Sequence, residues 1–82
     1  MEKEKGKEPA ILSTKKRIGR TISQRRHALG LDISDLTSFS GVSSSLISNI
    51  ENGKSNATIN TLEKILDILG LEISLKIKEP GI

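Results

Sequence analysis

With 82 residues the chain has room for one compact domain, which at this size buries only about 60% of its unfolded surface and is modestly stable unless it dimerises. It has no cysteine, which excludes disulfides and thiolate metal sites and fits the cytosol. No apolar run nears the ~20 residues that span a bilayer, and Met1 to Lys7 lacks the apolar region of a signal peptide. The net charge of +3 is small, but residues 1–30 carry nine Lys/Arg against three Glu, and residues 31–82 carry four against seven acids. Six basic residues and no acid lie between Lys15 and Arg26, which suits either a polyanion-binding surface or a solvated helix face.

Residues 1–13 are charged, hold a Gly and a Pro, and offer only Ala10, Ile11 and Leu12 as an apolar cluster, too little to offset the entropy of ordering. They are expected to be a flexible arm. From Ser13 or Thr14 the pattern turns helical, with Ile18, Ile22 and Leu29 forming the inward row and Gly30 at the C-terminal cap. His27 falls on the surface of this first helix.

Asp32 can accept from the free N–H groups of the next turn and cap a second helix, with Leu36 and Thr37 facing inward, as far as Ser40. Ser43 caps a third in the same way. Ile47 and Ile50 are its buried side, Val42 packs just before the cap, and Gly53 closes it. Lys54 to Ala57 is loop, and Thr58 caps a fourth helix whose apolar stripe is Ile59, Leu62, Ile65, Leu66 and Leu69, stopped by Gly70.

After Gly70 the period changes from 3.6 to 2. Leu71, Ile73, Leu75 and Ile77 alternate with Glu72, Ser74, Lys76 and Lys78, the pattern of a strand over 71–78, with a tail at 79–82. One strand cannot satisfy its own backbone. The simplest partner is the same segment of a second copy, paired antiparallel across a twofold axis; the other possibilities are an unpartnered edge strand or a frayed tail.

Two short helices joined by Ser40-Gly41-Val42-Ser43 make the tight turn of a helix-turn-helix. The run Ile18-Gly19-x-x-Ile22-x-x-x-Arg26-x-x-x-Gly30-Leu31, then Leu36, Gly41-Val42-Ser43, Ile47-Ser48-x-Ile50-Glu51-x-Gly53-Lys54 and Leu62, resembles the Xre/Cro family over about residues 14–70. The resemblance implies a mainly α, four- to five-helix, lambda-repressor-like domain. It implies that Arg26 and Glu51 form an ion pair inside the domain and are scaffold, not DNA contacts.

It also implies that the third helix enters the major groove, where each base pair shows a distinct donor, acceptor and methyl pattern. With Ile47 and Ile50 inward, the face left for bases is Ser44, Ser45, Leu46, Ser48 and Asn49, and Asn49 can pair two ways with adenine. Leu46 is either a thymine-methyl contact or a stray surface apolar residue. Phosphate contacts are expected from Ser43 at the helix N-terminus, from Lys54, Ser55 and Asn56, and from Lys16 and Arg17. Two positions depart from the family: Ile33 stands where glutamine is usual, removing a phosphate donor, and Thr37 where alanine is usual, its hydroxyl needing a partner such as a backbone carbonyl one turn back. Phe39 falls at a normally polar position, either packed on the first helix or part of a protein-binding patch.

The end, Leu69-Gly70-Leu71-Glu72-Ile73-Ser74-Leu75-Lys76-Ile77, resembles the HipB branch of antitoxins. That branch dimerises through this strand, with Leu71, Ile73, Leu75 and Ile77 as the apolar row. The resemblance implies a repressor of its own operon on a palindromic double-stranded operator, which also restrains a HipA-like kinase toxin. The alternative is a stand-alone Xre-type repressor, phage or chromosomal; a chain stopping soon after the strand, without a sensing domain, favours the first. One His, no Cys and no carboxylate pair beside a nucleophile leave no catalytic site, and neither cofactor nor metal is implied.

Overall fold

The computed structural model describes residues 10–78. Four helices follow in order, α1 (Ala10–Ala28), α2 (Ile33–Ser40), α3 (Ser44–Glu51) and α4 (Ile59–Leu69). Helix α1 packs on α3 and α4, and α2 packs on the same two. Their inward faces meet in a core of Ile22, Leu36, Val42, Ile47, Ile50, Ile65, Leu66 and Leu69, drawn from all four helices and the α2–α3 turn. That core is small, so each end and crossing must be well made.

The helix starts follow the expected chemistry. Asp32 accepts from the Asp35 N–H at 2.9 Å while Asp35 accepts from the Asp32 N–H at 2.9 Å, a reciprocal cap on α2. Ser43 caps α3 through the Leu46 N–H, and Thr58 caps α4 through the Thr61 N–H. At the other ends, α1 and α4 close with paired backbone bonds, Leu31 N–H to Arg26 C=O at 3.1 Å and Leu71 N–H to Leu66 C=O at 2.9 Å. Each bond folds the next leucine, Leu31 or Leu71, back against the core.

Gly19 sets how closely α1 and α3 approach. A Cβ there would stand 2.6 Å from the Glu51 carbonyl oxygen and closer still to that of Ile50, so only glycine lets the helices meet. Arg25 adds a second tie, its Nε donating to the Leu69 C=O at 2.8 Å at the end of α4, where a cation is favourable. The charge run marked Arg25 as basic without indicating this role.

Several expectations are corrected. Helix α1 begins at Ala10, not Ser13 or Thr14, so residues 10–13 belong to the helix and not to an arm. Residues 1–9 and the tail 79–82 lie outside the described residues. Leu29 is 44% exposed, because α1 ends before it and Leu31 takes the inward place. Ile59, at the first turn of α4, is 68% exposed, which narrows the stripe to Leu62, Ile65, Leu66 and Leu69. Phe39 is 65% exposed and so does not pack on α1.

Residues 71–78 form no strand. A strand requires ladder bonds to a second strand, and no second strand lies among the described residues. Ile73 is partly exposed and Leu75 and Ile77 are 93% and 97% exposed. No helix among the described residues is long and apolar enough to cross a membrane.

Candidate nucleic-acid interface

The turn between α2 and α3 is fixed from both sides. Ser40 Oγ donates to the Leu36 C=O at 2.6 Å and accepts from the Val42 N–H at 3.1 Å. Between them Gly41 adopts φ 76°, a left-handed conformation that β-carbon residues rarely take, and its N–H closes α2 on the Thr37 C=O at 2.8 Å. Val42 is then buried and Ser43 is placed to cap α3. Thr37 Oγ1 lies 3.1 Å from Ser44 Oγ, so its hydroxyl partner is the first residue of α3 and not a carbonyl one turn back. The two helices are pinned together at the turn.

On α3, Ile47 and Ile50 are buried, and Ser44, Ser45 and Asn49 are exposed. Ser48 is half-buried. Leu46 is also half-buried and packs against the core, because the short α3 is contacted by α1 on one side and α2 on the other; it is neither stray nor fully presented. Asn52 extends the outward row by one more turn, its Nδ2 donating to the Ser48 C=O at 2.9 Å. The face expected from the sequence ends at Asn49, although three-residue spacing points on to Asn52.

The cationic and polar positions expected to meet phosphate divide into groups. Ser43 is exposed at the N-terminus of α3, where the first N–H groups have no partner within the helix. The Lys54 N–H bonds to the Asn49 C=O at 2.8 Å, which ties the loop cation to the last turn of α3. This bend depends on Gly53 at φ 72°, packed so closely that a Cβ would lie 2.8 Å from Lys16 Cγ. Lys16 is thereby held beside the end of α3. Asn56 accepts from Lys15 Nζ, a partnership absent from the sequence reading, and Ser55 is half-buried beside it. Arg17 stands apart, in a groove of about 470 Å³ lined also by Ile18, Leu66 and Leu71 to Leu75.

Arg26 and Glu51 meet beneath this surface. Arg26 Nε and Nη2 donate to the two Glu51 carboxylate oxygens at 2.7 and 3.0 Å, and Nη1 donates to the Leu31 C=O at 3.0 Å. Both side chains are 9% exposed. The hydrogen bonds to Glu51 raise the Arg26 pKa against the opposing effect of burial. The pair joins α1 to the end of α3. His27 is exposed, and its Nδ1 donates to the Ser23 C=O at 2.8 Å. Ile33, where the family usually has glutamine, packs against the core.

A helix-turn-helix family model matches residues 16–76, which takes in all of α2, α3 and α4. The chain belongs to the helix-turn-helix family. It is 37% identical over 62 residues, 76% of its length, to the HTH-type transcriptional regulator PuuR of Escherichia coli K12, and equally to the PuuR regulator of Shigella flexneri. The match covers 34% of that regulator, so the chain spans about a third of the length of these curated relatives. Among solved structures it is similar to the restriction-modification controller protein C.AhdI from Aeromonas hydrophila, with a TM-score of 0.69 and 25% identity over 73% of this chain and 91% of that one. None of the three carries the name of an antitoxin, so the kinase-toxin partnership gains nothing from them.

Proposed function

We propose that the chain is a sequence-specific, operator-binding transcriptional repressor of the stand-alone Xre type, cytoplasmic and bound to DNA as a homodimer. The observation that carries this reading is the outward face of α3. Ser45 and Asn49 are exposed on a helix whose start is pinned to α2 by Thr37 and whose end is tied to α1 through Arg26 and Glu51. A reading helix held this firmly loses little freedom on docking.

In this proposal Asn49 reads adenine through its amide, and Ser45 and Ser48 supply single hydrogen bonds. Ser44, engaged with Thr37, contributes less, and Leu46 offers only its outer edge. Ser43, Lys54, Ser55, Asn56 and Lys16 bind phosphates on either side, setting affinity without reading sequence. Arg17 is left out because of its place in the groove beside residues 71–75. Dimerisation falls to residues 71–78, with Leu71, Ile73, Leu75 and Ile77 as its apolar row, so that two copies of α3 reach half-sites of a palindromic operator.

The test is a binding series on a duplex selected from random sequence by the full chain. Asn49→Ala is expected to cost about 1–3 kcal/mol at one base pair and little elsewhere, whereas Lys54→Ala weakens all duplexes alike. Equal loss on every sequence for Asn49→Ala removes it from base reading. The HipB-like reading, in which the same dimer also restrains a HipA-like kinase, rests on the alternating segment after Gly70. Co-expression with the product of the adjacent gene, followed by pull-down, tests it.

A further inference from the structure

We propose that Lys16, Arg20 and Gln24 form a second phosphate clamp, gripping the DNA backbone beyond the C-terminal end of α3. This rests on the DNA-binding reading above and adds Arg20 and Gln24 to its phosphate contacts. The spacing of four residues places the three side chains along one side of α1. The close crossing at Gly19 lays that side along the end of α3. Together with Ser23, Glu51 and Asn52 the three line a polar concavity of about 320 Å³.

The concavity is continuous with the reading face, since Asn52 both ends the outward row of α3 and forms part of its wall. Helix α3 has eight residues, and at about 1.5 Å per residue it is about 12 Å long, comparable with the width of the major groove. A helix that enters the groove by its N-terminus therefore ends near the far phosphates. The Glu51 charge is balanced by Arg26, which donates to both its carboxylate oxygens. Arg20 is exposed and makes no hydrogen bond or ion pair among the described residues. Its planar fork suits two phosphate oxygens at once. The competing role for Lys16 and Arg20 is to stabilise the negative end of α3, which concerns folding alone.

The experiment uses the full chain, random-sequence duplex DNA several helical turns long, and a salt titration of the binding constant for wild type, Arg20→Ala, Arg20→Lys and Arg17→Ala. Arg20→Ala is expected to shallow the slope of log K against log salt by about 1, with no change in melting midpoint. Arg20→Lys should recover the slope, and Arg17→Ala should leave it as in wild type. An unchanged slope in Arg20→Ala overturns the clamp, with or without a fall in melting midpoint. An equal change in Arg17→Ala also overturns it, because net charge then explains both. A wild-type chain that binds no duplex instead removes the DNA-binding reading on which the clamp rests.

Discussion

Arg26 and Glu51 show how few atoms hold this domain together. Two charges buried near a small core are costly to bring out of water, and their mutual hydrogen bonds offset that cost only while both are present. Glu51→Gln is expected to lower stability by about 3 kcal/mol in chemical denaturation, with the base-facing surface of α3 unaltered. A loss below about 1 kcal/mol would place the pair among surface ion pairs. Gly19 supplies a test of opposite sign. In an open helix Gly→Ala gains about 1 kcal/mol, but here the Cβ would meet the Glu51 backbone at 2.6 Å, so Gly19→Ala should destabilise. The ion pair was legible only through a family resemblance, since charge pattern does not link residues 25 apart. Arg25 was hidden for the same reason: its partner is a backbone carbonyl 44 residues away.

At the scale of elements, the helix starts depend on capping side chains, and one of these titrates. The Asp35 N–H first, then the Ser34 hydroxyl, stabilise the charged Asp32 carboxylate and lower its pKa. A carboxyl lowered on folding contributes in full above its ordinary value, near pH 4. That contribution is lost as pH falls through the lowered folded-state value. Asp32→Asn, which keeps an accepting oxygen, should therefore flatten the acid limb of a stability-against-pH curve; an unchanged limb would contradict this. Ser43→Ala should cost about 1 kcal/mol by removing the α3 cap, detectable as a lower melting midpoint. Helix starts and stops were legible because Asp32, Ser43, Thr58 and the closing glycines act locally. The half-burial of Leu46 was not, because tertiary packing decides which side of α3 is covered; nor was the start of α1, where Ile11 is exposed and leaves no burial pattern to read.

At the scale of the molecule, the segment after Gly70 has two halves of different character. Leu71 packs on the core of its own chain, whereas Leu75 and Ile77 are almost fully exposed, at 93% and 97%. Replacing both with Lys cannot unfold a single chain that does not bury them. The double variant Leu75→Lys, Ile77→Lys should sediment as a folded monomer, whereas Leu71→Lys should lower the stability of the chain itself. A double variant that remains dimeric would assign dimerisation to another surface. The period-two pattern reads as a strand, but residues 71–78 form none in the single chain, and the proposed pairing would need a second copy.

The central claim is that α3 reads sequence from two symmetrically placed copies, and selection of duplexes from a random library by the full chain, followed by sequencing, tests it most directly. The prediction is a twofold-symmetric consensus with half-site centres one helical turn, about 34 Å, apart. Enrichment of no sequence, or of a single unpaired half-site, would contradict it.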